Sequence, residues 1–98
     1  MRLEIQNIRV NPTMAMRRAG YVFQYQEGAD SSFVRILARA GYPRFHIYCH
    51  LEGADMVMNL HLDQKKETYG DSTRHHGEYD ESGPVKEEAI RLRSAFGV

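Results

Sequence analysis

The chain reads as an α+β two-layer sandwich: a mainly antiparallel sheet in the order β-β-α-β-β-α, with both helices on one face. Three observations point there. Residues 44–63 hold two runs of strict apolar/polar alternation around "EGAD", the mark of a hairpin. Residues 33–40 and 85–96 each carry one apolar stripe bounded by start and stop signals, the mark of a helix. Ninety-eight residues, 42% of them apolar, suit a single domain (1–98) with a small core.

The first element is a strand. Leu3 and Ile5, then Ile8 and Val10, alternate with a slip of phase at Gln6–Asn7 that suggests a bulge. "NPTMAMRRAG" follows as a connection, opened by Asn11–Pro12 and closed by Gly20. "YVFQYQ", Tyr21 to Gln26, is aromatic and alternating, hence a second strand ended by Gly28. Asp30, Ser31 and Ser32 offer capping oxygens for a helix whose stripe is Phe33, Ile36, Leu37 and Ala40; Gly41 and Pro43 stop it.

The hairpin fixes a register. A tight loop at Gly53–Ala54 pairs Glu52 with Asp55 and, outward, Cys49 with Met58, Ile47 with Leu60 and Phe45 with Leu62. The opposite face then pairs Tyr48 with Asn59, His46 with His61 and Arg44 with Asp63. Directly opposed side chains have Cβ atoms only ~4.5–5.5 Å apart. One face belongs to the core, and the other carries two facing histidines.

Between Leu62 and Val85 there is no Val, Ile, Leu, Met or Phe, so residues 64–83 read as a long polar loop or a lid over the histidine face. Pro84 opens the last helix, with Val85, Ala89, Leu92 and Phe96 as its buried stripe and Gly97 as its stop.

Charge excludes little by itself. Thirteen bases and thirteen acids cancel, which offers no global field for nucleic acid or membrane. Residues 1–50 carry seven Arg against three acids, and residues 51–98 six bases against ten, so the halves attract within one fold. Cys49 is the only cysteine, which excludes an internal disulfide and suits a reducing, cytoplasmic setting. "MRLEIQNIRV" has the pattern of neither a signal nor a transit peptide, and no apolar run approaches the ~18 residues of a membrane span.

The candidate site is the polar face. His46, His61, Asp63 and Tyr48 could act as acid–base groups, because imidazole titrates near neutrality and a carboxylate and a phenol stand beside it. His46, His61 and His50, completed from the loop by His75, His76 and Glu78, could instead hold a divalent transition metal such as zinc. The ligand in either case is a small polar molecule, phosphorylated if Arg44, Lys65, Lys66 or Arg74 holds an anion. The plain alternative makes these histidines half-exposed polar residues, with Asp63 simply paired to Arg44. Cys49 shares the core face with Phe45, Ile47 and Leu51, so it reads as a small buried hydrophobe rather than a nucleophile.

Two other classes compete. A single-stranded nucleic-acid module would stack bases on Tyr48, joined by Tyr21 or Tyr25, with Arg17, Arg18, Arg35 and Arg39 as a basic rim. An interaction scaffold would self-associate as a homodimer, its exposed sheet face stacking on that of its mate across a two-fold axis.

Overall fold

The computed structural model describes residues 1–64 and 83–98. Most of the stretch read as a loop or lid, 64–83, lies outside the described residues. Seven elements follow in order: β1 (Arg2–Ile5), α1 (Pro12–Arg18), β2 (Val22–Glu27), β3 (Asp30–Ile36), β4 (Arg44–Glu52), β5 (Asp55–Asp63) and α2 (Pro84–Ala95). The strands form one antiparallel sheet in the order β1-β5-β4-β3-β2.

The class is α+β, but the order differs from β-β-α-β-β-α in two places. Residues 33–40 are not a helix: Asp30–Ile36 form β3, paired with both β2 and β4. The apolar spacing there fits either structure, and the central sheet decides it. Phe33 turns into the core while Ser32 and Val34 are buried on the other face, so this strand is enclosed from both sides. Residues 11–20 are not a bare connection either. Asn11 caps α1 by accepting the Met14 N–H through its side chain, and Pro12 occupies the first turn. Asn followed by Pro is a helix-start signal as well as a turn signal. Ala15 and Met16 then bury the helix.

Elsewhere the pattern holds. The β4–β5 register runs from Arg44↔Asp63 through His46↔His61 and Tyr48↔Asn59 to Glu52↔Asp55, and Gly53 supplies the positive φ of 64° that its turn demands. Val85, Ala89, Leu92 and Phe96 are all buried. The slip at Gln6–Asn7 is not a bulge, however, but the end of β1: Ile8 and Val10 lie beyond the strand, and Asn7 takes a φ of 53° while its N–H reaches Asp55 Oδ1 at 2.8 Å. Leu3, Ile5, Phe33, Phe45, Ile47, Cys49, Met58 and Leu60 from the sheet join Met16 of α1 and Leu92 of α2 in one apolar cluster.

A buried carboxylate ties α2 into that cluster. Glu88 is 4% exposed. Its Oε2 accepts from Tyr21 Oη at 2.6 Å and Arg91 Nη2 at 2.9 Å; its Oε1 accepts from Arg91 Nε at 2.9 Å and Arg35 Nη1 at 3.3 Å. Burial, with Glu88 alongside, pushes the Tyr21 phenol far above its usual range. No helix among the described residues is long and apolar enough to cross a membrane.

Candidate functional site on the polar sheet face

Strand alternation places Arg44, His46, Tyr48 and His50 of β4 on the face away from the helices' cluster, beside Asn59, His61 and Asp63 of β5. The strand unforeseen in the sequence adds Asp30, Ser32 and Val34 to it. β2 contributes through an irregularity. Its register with β3 shifts between Phe23 and Tyr25. The extra residue lets both Gln24 and Tyr25 reach this face, which is what bulges commonly do beside sites.

A line of polar contacts runs through the face. Asp63 Oδ2 lies 3.4 Å from His46 Nδ1, and His46 Nε2 lies 2.8 Å from Ser32 Oγ. Ser32 Oγ in turn lies 3.2 Å from Gln24 Oε1. Ser32 has no exposed surface and His46 only 9%, while the Asp63 side chain keeps 32%. The line is therefore buried in its middle and reaches solvent at both ends, at Asp63 and at the exposed Gln24. Arg44 Nε also binds Asp63 Oδ2, at 3.3 Å, and its guanidinium stacks on Tyr42. Burial works to raise the Asp63 carboxyl, but His46 and Arg44 outweigh it by hydrogen bonding and charge and hold it below the usual carboxylate range.

This line accommodates His46 in either protonation state. With Asp63 beside Nδ1 the neutral ring keeps its proton there, so Nε2 accepts and Ser32 donates. When the ring is charged, Nε2–H donates to Ser32 Oγ and the hydroxyl turns to Gln24 Oε1. Neither state strands a buried donor, which would otherwise cost ~1–3 kcal/mol. Ser32 thus offers Nε2 a partner whether that nitrogen gives or takes the hydrogen bond.

Aromatic rings roof the line. Tyr48 lies over His46 with centroids 4.5 Å apart and meets His61 edge-on at 6.2 Å. Its hydroxyl is 3.2 Å from that of Tyr25. The Tyr25 hydrogen bond, then burial, then the charges of Glu27 and Asp63 push the Tyr48 phenol up to about 12, so at neutral pH it stays a hydrogen-bond donor.

His50 is engaged differently. Its Nδ1 is 2.8 Å from Asp30 Oδ1 and its Nε2 is 2.8 Å from Glu52 Oε2. Both ring nitrogens of His46 and of His50 therefore face protein groups. Among the described residues no group of three His, Cys, Asp or Glu is gathered where it could hold a metal ion. His75, His76 and Glu78, the expected loop ligands, lie outside the described residues, as do Lys65, Lys66 and Arg74. Cys49 is buried on the core face, its thiol pushed up to about 12 by burial and the nearby Asp30 charge, so it remains protonated.

The sequence pairs His46 with His61 and Asp63 with Arg44, and the structure brings all four together with Tyr48. Of the two tyrosines offered beside Tyr48 it is Tyr25 that stands there, while Tyr21 is buried against Glu88; Ser32 and Gln24 are not marked in the sequence. In the sequence Ser32 has the look of a helix cap, and nothing in "YVFQYQ" marks the extra residue that lets the exposed Gln24 reach Ser32. The fold and the site define a small α+β domain whose antiparallel sheet carries a histidine-bearing polar face. No protein-family model, curated protein or solved structure matches the chain.

Proposed function

We propose that the polar face is an acid–base site for a small polar ligand, with His46 as the proton-carrying group. The observation that carries this reading is the Asp63–His46–Ser32 line, at 3.4 and 2.8 Å, with Gln24 behind it. Asp63 stays ionised and Tyr48 stays neutral, which leaves the imidazole to exchange a proton. The 3.4 Å separation at Nδ1 is long for a hydrogen bond, so a ligand hydroxyl or amine can compete for it; such contacts commonly tighten only when a ligand is bound. Tyr48 and Asp63 supply one donor and one acceptor to orient the ligand. A neutral or cationic ligand suits the face better than a phosphorylated one, because Arg44 is already paired with Asp63 and the face also carries Glu27 near Tyr48 and Asp30 and Glu52 beside His50.

The same carboxylates weigh against single-stranded nucleic acid, although Tyr25 and Tyr48 form an aromatic pair on this face. Arg35 adds nothing to a basic rim, since it turns to Glu88 in the core.

The test is a nuclear magnetic resonance screen of amines, alcohols, amides and sugars, with inorganic phosphate and a single-stranded RNA as further arms. Shifts should gather at His46, Tyr48 and Asp63 for neutral or cationic compounds. His46→Asn and Tyr48→Phe, both folded, should each remove them. Shifts that map elsewhere, or that survive both substitutions, would sink the acid–base reading; a response to RNA alone would replace it with the nucleic-acid one.

A further inference from the structure

The two edges of the sheet are unlike. β1 is four residues long, and Arg2 and Glu4 pair along it at 3.0 Å. Short length and charge are the usual guards of an exposed edge. β2, at the other edge, is six residues long, all of them exposed. Its sequence, VFQYQE, holds no Pro or Lys, and no charge before Glu27. The bulge near Gln24 is its one guard.

Apolar surface collects on this edge. Val22 is 65% exposed and Phe23 51%, with Tyr25 next to them and Ile36 and Leu37 at the end of the neighbouring strand. These are five of the nine large hydrophobics exposed among the described residues. Among the described residues nothing pairs with the outer backbone row of β2, and such a row flanked by apolar side chains is a template for another strand.

Charge selects the occupant. Exposed Arg17 and Arg18 close α1 and lead into the start of β2, while Glu27 ends β2 and Asp30 follows across the turn. A second β2 laid antiparallel sets the basic end of each strand against the acidic end of the other, twice. A parallel mate would set like against like. The chain is thus complementary to itself, and its zero formal net charge offers no repulsion against association.

We propose that β2 pairs antiparallel with β2 of a second copy of this chain, joining two five-stranded sheets into one across a two-fold axis. The axis stands perpendicular to the sheet, so both polar faces look the same way, with the two Tyr25 side chains flanking it. Such a contact is small, at or below the ~1,200 Å² that separates transient from standard interfaces. Association is therefore concentration-dependent. It rests on the strand order and the edge composition, and stands whether or not His46 exchanges protons.

Sedimentation and hydrogen exchange on the whole protein test it together. A dimer should build up with concentration, and amides of 22–27 should slow in step with it while those of 2–5 do not change. Val22→Lys, at an exposed site that the fold tolerates, should weaken the dimer at least about tenfold. Glu27→Arg and Arg18→Glu should each weaken it, and an equimolar mixture of the two should recover the wild-type dimer. A monomer up to ~1 mM, where even weak contacts register, overturns the proposal. So does a dimer whose 22–27 amides exchange independently of concentration, or one indifferent to Val22→Lys. A mixture no tighter than either charge variant alone overturns the antiparallel register, and the proposal with it.

Discussion

Two polar clusters are buried on opposite faces of this sheet, and they are built from different chemistry. Around Glu88 every partner is fixed: two guanidiniums, which stay charged, and a phenol whose pKa is driven further from neutrality. Both carboxylate oxygens are filled from α2, from β3 and from the segment before β2. Around His46 the partners can reverse, since Ser32 can give or take a hydrogen bond and Gln24 stands ready for either. The first cluster fastens; the second is the one the proposed acid–base role requires to switch. Burial and hydrogen-bond count alone would not tell them apart; the reversibility of the donors does.

The largest expected effect breaks the fastening side. Glu88→Ala leaves the buried Tyr21 hydroxyl without its acceptor and takes the anion from Arg35 and Arg91, which water partly solvates, so the cost should be ~2–4 kcal/mol. For a domain of this size that corresponds to a fall of roughly 10–25 °C in Tm. Urea denaturation measures it. A loss under ~1 kcal/mol would mean that the cluster is as replaceable as a surface ion pair.

The middle effect tests switching. Ser32→Ala removes the group that satisfies Nε2 in both protonation states, at a cost of ~1–3 kcal/mol in stability. Gln24→Leu should cost less, because Ser32 still offers its hydroxyl to Nε2. Urea denaturation measures both, and a Ser32→Ala loss under ~0.5 kcal/mol would reduce Ser32 to a packing residue.

The two clusters also differ in how far the sequence reveals them. Half of the polar face was legible, because alternation across "EGAD" sets the β4–β5 register with no tertiary information, and His46, Tyr48, His61, Asp63 and Arg44 follow from it. The other half depends on β3. Its apolar spacing at 33, 36, 37 and 40 matches a helix, and only the sheet beside it, by enclosing Ser32 and Val34, makes it a strand. With that strand misread, Ser32 had no route to His46. Glu88 was hidden for a different reason: at the start of a helix a glutamate is ordinarily a solvated residue favoured by the dipole. What buries it is Arg35 and Tyr21, brought from 53 and 67 residues away.

The smallest expected effect comes from His50, which sharpens the contrast by imitating His46. It too has a partner at each nitrogen, but both partners, Asp30 and Glu52, are carboxylates that only accept. Hydrogen bonds to Glu52 and then Asp30 raise its pKa above the ordinary 6.5, with burial opposing weakly. A raised folded-state pKa means that the folded chain holds the proton more tightly than the unfolded one. Its contribution to stability is therefore complete below 6.5 and is lost as pH climbs through the folded value. Solvent screens this exposed triad, so the effect is slight. It should appear as a downward slope in wild-type stability on the alkaline side of 6.5 that His50→Asn flattens, measured by urea midpoints from about pH 5 to 8. His46 carries no such obligation, because Ser32 lets the neutral ring keep both its bonds. If the wild-type and His50→Asn curves stay parallel across that range, two acceptors do not commit an imidazole to its charge here. The distinction drawn between a clamped histidine and a reversible one would then rest on His46 alone.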